Sequence, residues 1–127
     1  MMEARPDGRL LLIIVTCGPE SAPRCVTPFQ VAVIGAIMEW DVRMYFTIGG
    51  ARLLKRGVAE TVQRQHGGKN VGEWLHDALD LGVKMYVCTD SMELNDVTRE
   101  DLLEGVELAG IATMLAMADE ARIVLTI

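Results

Sequence analysis

Residues 9–16, Arg-Leu-Leu-Leu-Ile-Ile-Val-Thr, are an unbroken leucine and β-branched run, the pattern of a strand covered on both faces. The turn-forming stretch 17–23, Cys-Gly-Pro-Glu-Ser-Ala-Pro, breaks it. Pro28 suits the first turn of a helix, where a missing N–H costs nothing. Residues 29–40 that follow are apolar nearly all round, as in a helix buried on more than one side. Residues 42–48 predict a second strand, closed by Gly49-Gly50. The basic segment 51–63 reads as helical and 65–70 as a loop. Val71, Trp74, Leu75, Ala78 and Leu79 recur at the spacing of one helix face, and Gly82 stops that helix. Residues 83–87 predict the third strand and deliver Cys88 at its end. Thr98 and Asp101 have the spacing of a capping box, with Val97 and Leu102 placed as a hydrophobic staple. The helix they open is expected to run to about Glu120, weakened by Gly105 and Gly110. Residues 122–127 predict a final strand.

Alternation of strand and helix calls for a mostly parallel sheet with helices on both faces and right-handed crossovers. The expected architecture is a three-layer α/β/α sandwich of four to five strands, one domain over 1–127. In such sheets ligands gather outside the carboxyl ends of the strands. Cys17, Gly49-Gly50 and Cys88 each follow a strand, so all three are candidates for a site.

Composition refines this picture. The 127 residues can bury one core. Half are hydrophobic but only 5% aromatic, so aliphatic side chains and eight methionines must fill it. The net charge of −6 argues against general nucleic-acid or anionic-membrane binding. Residues 52–69 oppose that trend. Arg52, Lys55, Arg56, Arg64 and Lys69 face Glu60 alone, a local +4 that leaves −10 elsewhere. Such an island suits a small anion or an acidic partner, or is simply a solvated face. The start, MMEARPDGR, lacks the apolar core of a signal peptide, and the run 10–15 is too short to cross a bilayer, which predicts a cytoplasmic chain. Three cysteines without repeated spacing do not make a disulfide framework.

Candidate chemistries thin out quickly. Neither GxxxxGK[ST] nor GxGxxG occurs, so nucleotide fingerprints are missing. Cys17 and Arg24 are one residue too far apart for a phosphatase-type anion loop. The cysteines lack CxxC pairing, and His66 and His76 carry no ligand spacing, so no metal is expected. His76 reads as a surface residue near Glu73 and Asp80; His66 lies in a glycine loop. No serine occupies a GxSxG elbow. A flavin-binding, flavodoxin-like reading lacks a phosphate loop after the first strand, and no cofactor is expected. Thiol chemistry remains. Asp90 or Ser91 can cap a short turn through Met92, Glu93 and Leu94 and aim amides at Cys88, lowering its pKa. The charges of Asp90 and Glu93 oppose that.

The frame Met85-Tyr86-Val87-Cys88-Thr89-Asp90-Ser91-Met92 is similar to the C-x-x-S-M segment of the DsrE/DsrF-like family of sulfur-trafficking proteins. The opening strand with its Gly-Pro-Glu turn, the Val-Arg-Met-Tyr-Phe-Thr strand and the stretch 103–110 resemble that family too, as does Ala118-Asp119. The resemblance implies an α/β sandwich assembled as a homo-oligomer, a trimer or hexamer. It implies that Cys88 accepts sulfane sulfur as a persulfide, or carries a thiosulfonate, and exchanges it with TusA-like carriers or rhodanese-type donors. Cys17 is the second-thiol candidate, with Cys25 as packing. Gly49, Gly50, Arg52, Lys55 and Arg56 are candidates for holding the anion or a partner. Both a turning-over sulfurtransferase and a stoichiometric carrier agree with this. The competing class is a non-catalytic oligomeric interaction module with an incidental cysteine.

Overall fold

The computed structural model describes residues 9–127; the stretch 1–8, where a signal peptide was judged absent, lies outside them. Five strands, β1 (Leu10–Val15), β2 (Asp41–Phe46), β3 (Lys84–Cys88), β4 (Val106–Ala109) and β5 (Ile123–Thr126), form one sheet in the order β4-β3-β2-β1-β5. Every neighbouring pair is parallel. The fold is the expected α/β class.

β1 is apolar throughout because it is an interior strand, between β2 and β5, with both faces covered. Leu11, Ile13 and Val15 enter the core on one face of the sheet, while Leu10 and Leu12 enter a smaller core on the other. The larger core is closed by α1 (Ala22–Ile37) and α2 (Val71–Asp80), which pack on each other and on the sheet. Phe29 of α1 meets Phe46 of β2 with ring centroids 5.8 Å apart. The smaller core is covered by α4 (Ile111–Glu120), which buries Met117 and leaves Ile111 and Leu115 exposed. A short helix, α3 (Thr89–Leu94), lies at the carboxyl end of β3.

Three expectations are corrected. The long helix beginning near Leu102 does not exist. The capping box is there, with Thr98 donating its N–H and hydroxyl to Asp101 at 2.9 Å each, but it opens one turn of 3-10 helix, Arg99–Asp101. The chain then turns at Gly105, whose φ is 90°, and enters β4. Gly105 and Gly110 thus bracket an edge strand. Pro28 lies inside α1, because Ala22-Pro23 already occupy its first turn. Its ring therefore removes an interior helix hydrogen bond. The basic segment is no regular α-helix either: it forms 3-10 helices at Ile48–Leu54 and Ala59–Thr61. Lys55 also bridges to Leu102 in antiparallel fashion.

α1 was expected to be buried on more than one side. Phe29, Ala32 and Ala36 do face the sheet, but Ile34, Ile37 and Met38 stay exposed. Ile34 and Met38 line an apolar groove of about 470 Å³ with Leu11, Trp40, Ile123 and Leu125.

Candidate functional site

β3 runs into α3 without a loop, and Cys88 itself is the N-cap. Asp90 and Ser91, expected as caps, fall inside the first turn, so Ser91 is the third helical residue. That is the position whose amide an N-cap side chain accepts. The Cys88 thiol makes no cap hydrogen bond, but the Ser91 N–H is among the groups that lower its pKa.

Three hydroxyls complete the surroundings. Tyr45, buried on β2, donates to the carbonyl of Ala109 on β4 at 3.1 Å, so its phenol passes over β3 where Cys88 ends. Ser91 Oγ accepts the Ile48 N–H at 2.7 Å and shares a hydrogen bond of 3.1 Å with Thr47 Oγ1. Burial pushes the Cys88 thiol up, but the Tyr45 hydroxyl, the Ser91 hydroxyl and amide, and the Thr47 hydroxyl outweigh it and lower the pKa to about 7. Burial, with Cys88 beside it, pushes the Tyr45 phenol upward, so that it keeps its proton for donation. These donors supply the balance that the sequence left open between α3 and its acidic neighbours.

The rim of the site is strained. Ile48, a β-branched residue, has φ of 55°, the left-handed region such residues avoid. It is held there from both sides. Ser91 takes its amide, and Asn95 Nδ2 donates to its carbonyl at 2.7 Å. The side chain of Ile48 is exposed, as is that of Leu94.

Gly49 and Gly50 continue the rim segment, while Cys17 and the cations make other contacts. Cys17 belongs to the α1-side core and Cys88 to the α4-side core, so the two thiols occupy opposite faces of the sheet. Gly49 and Gly50 serve a close approach: a Cβ at Gly50 would lie 2.3 Å from the Val15 carbonyl oxygen, and one at Gly49 would lie 3.2 Å from the Gly18 nitrogen. The Gly50 amide donates to Thr47. Arg52 pairs with Glu20 at 3.0 Å, and Arg56 donates to the Glu100 carbonyl at 2.6 Å. Lys55 lies near Asp101. Arg64 donates to Thr27 and Gln30, and Lys69 to Asp77. The island's charges are thus spread over several local partners. His76 contacts Asp80 at 3.3 Å on the exposed side of α2, and His66 is exposed.

The model of the DsrE/DsrF-like family matches residues 10–127. The chain belongs to the DsrE/DsrF-like family. Among its relatives, protein MJ0760 of Methanocaldococcus jannaschii is 32% identical over 105 residues, 83% of this chain and 38% of that protein. YrkE of Bacillus subtilis is 29% identical over 81 residues, 64% of this chain and 48% of YrkE. This DsrE/DsrF-like chain therefore spans less than half the length of either relative. In solved structures the fold recurs in the ychN protein from E. coli, with a TM-score of 0.80 at 18% identity, covering 94% of this chain and 99% of that one. It recurs also in MTH1491 from Methanobacterium thermoautotrophicum, with a TM-score of 0.62 at 17% identity, covering 94% and 98%. Tyr45 and Thr47, the donors that sequence reasoning missed, lie on the Val-Arg-Met-Tyr-Phe-Thr strand of this DsrE/DsrF-like domain. There the side-chain alternation alone signals that Tyr45 and Thr47 share a face.

Proposed function

We propose that this protein carries sulfur on Cys88 as a cytoplasmic member of a sulfur relay, taking sulfane sulfur from a rhodanese-type donor and passing it to a TusA-like carrier. What supports this best is the placement of Cys88 at a helix N-cap, where the Tyr45, Ser91 and Thr47 hydroxyls and the Ser91 amide lower its pKa to about 7. Nucleophilic thiols need their thiolate form near neutral pH, and the Tyr45, Thr47 and Ser91 donors favour it. In the loading step the Cys88 thiolate attacks the outer sulfur of a persulfide, R–S–S⁻. The donor's S–S bond breaks, R–S⁻ leaves with the electron pair, and Cys88–S–S⁻ forms. The same donors accommodate the new terminal anion, as they would a thiosulfonate.

Family membership supports a role connected with sulfur relay; the cargo and the partners are our reading. Among the described residues no helix is long and apolar enough to cross a membrane. The exposed apolar residues of α4 and β5, Ile111, Leu115, Ile123 and Val124, agree with a homo-oligomer, a trimer or hexamer. Intact-mass measurement after incubation with polysulfide or thiosulfate tests the assignment. One added sulfur on wild type and none on Cys88→Ser is expected; equal loading of the variant would remove Cys88 from the role.

A second reading, an interaction module with an incidental cysteine, is favoured by one observation: Cys88 is only 2% exposed. Under our reading α3 must open locally to admit a donor. Selective alkylation of Cys88 in the native protein at neutral pH separates the two, because a passive thiol stays protected until the chain unfolds.

A further inference from the structure

Cys17 and Cys25 meet at the start of α1. Cys17 follows β1 at the carboxyl edge of the sheet, and Cys25 lies one turn into the helix. The Cys25 thiol donates to the Gly18 carbonyl at 2.9 Å and lies 4.0 Å from the carbonyl of Cys17. Both side chains belong to the same core cluster, Cys17 at 6% exposure and Cys25 at none. Both are free thiols.

Their roles differ. The Cys25 side chain hydrogen-bonds Cys17 and is the largest influence lowering the Cys17 thiol to about 7; burial opposes it, while the Cys17 amide and Arg24 add to it. Glu20 acts the other way, and Arg52 pairs with it at 3.0 Å. The same contact, with burial, pushes Cys25 upward, so Cys25 keeps its proton. A thiol that ionises more readily beside one that keeps its proton has the division of labour of a dithiol couple.

We propose that Cys17 and Cys25 form a second thiol site, a reversible dithiol–disulfide couple that reacts with low-molecular-weight disulfides. It lies on the face of the sheet opposite Cys88 and works without it. In the first step the Cys17 thiolate attacks one sulfur of R–S–S–R. That S–S bond breaks, R–S⁻ leaves with the electron pair, and Cys17–S–S–R forms. The Cys25 thiol then releases its proton to solvent or to a departing thiolate, gives up the Gly18 carbonyl and attacks the Cys17 sulfur. The second R–S⁻ leaves as the Cys17–Cys25 bond closes. Two protein thiols are oxidised and one disulfide is reduced to two thiols, so electrons balance. A dithiol reverses both steps.

The test uses the full chain carrying Cys88→Ser, so its outcome is separate from that of sulfur loading on Cys88. The protein is incubated with glutathione disulfide, quenched in acid, unfolded and treated with N-ethylmaleimide. Expected is a mass lower by two hydrogens than the reduced chain, no maleimide uptake, and restoration of both thiols by dithiothreitol. Adding Cys25→Ser should leave one glutathione held on Cys17, because the step that expels it is lost. Two maleimide-reactive thiols after incubation, or glutathione retained while Cys25 is present, would overturn the proposal. If the Cys25→Ser chain fails to fold, the single Cys88→Ser variant still decides.

Discussion

The hydroxyl of Tyr45 reaches the carbonyl of Ala109 at 3.1 Å across the strand that carries Cys88, and the same hydroxyl lowers the Cys88 pKa. With Cys88 protonated the proton rests on Ala109; with Cys88 ionised the sulfur competes for it. Tyr45→Phe keeps the ring and removes that proton. The midpoint of the pH–rate profile for Cys88 alkylation should rise by about one pH unit, the order expected for losing one hydrogen bond to a charged group. An unchanged midpoint would mean that the phenol does not serve the sulfur.

Ser91→Ala removes a donor to Cys88 and the acceptor of the Ile48 amide together. A buried polar partner lost in this way costs about 1–3 kcal/mol. Urea unfolding should show that loss, and alkylation at neutral pH should slow. Loss of stability with undiminished alkylation would confine Ser91 to holding the loop.

Ile48 is strained by its left-handed backbone, which glycine adopts freely. Ile48→Gly should therefore raise stability by up to about 1 kcal/mol, even though a side chain is deleted. A clear loss would show that Ile48 makes a contact worth more than its strain.

Cys88 has an ordinary pKa of 9.0 and is lowered to about 7 in the fold, so the folded chain loses this proton first. The unfolded chain holds more protons between these values, and stability rises with pH across that window. The contribution is complete above the unfolded value and lost as pH falls through about 7. The stability of wild type minus that of Cys88→Ser, from urea midpoints, should grow from neutral pH to about pH 9. A flat difference would mean that Cys88 titrates alike in both states.

Gly50→Ala should be among the most damaging single-methyl changes in the chain, because the added carbon would press 2.3 Å from the Val15 carbonyl. A cost above about 3 kcal/mol is expected. Gly110→Ala, which meets nothing within 4 Å, is the control and should stay within about 1 kcal/mol. Thermal melts of the pair decide it.

Legibility in the sequence followed burial and locality. β1, with its both-sided apolar run, and α2, with its one-sided period, declare themselves through short-range patterns. β4 does not. Its four residues, Val106–Ala109, lie at a sheet edge, and only Ala109 is buried. An edge strand needs little hydrophobicity, so the apolar residues around it read as one helix. The two bracketing glycines were the available clue. The site divides in the same way. Cys88 is visible because it terminates a strand, and Ser91 because it is near in sequence. Tyr45 and Thr47 come from another part of the chain, and only parallel pairing of β2 with β3 brings them beside the sulfur. The partners of the basic island were not legible, because charge content says nothing of which group neutralises it. Arg52 goes to Glu20, a partner 32 positions away.

β1 pairs with β2 on one side and with β5 on the other, with Leu11 opposite Ile123 and Ile14 opposite Thr126. β1 therefore has a bare flank until β5 pairs with it. A chain without β5 exposes the carbonyls and amides of β1 along that side. Any truncation that removes β5 therefore leaves that flank of β1 open to pairing with another chain.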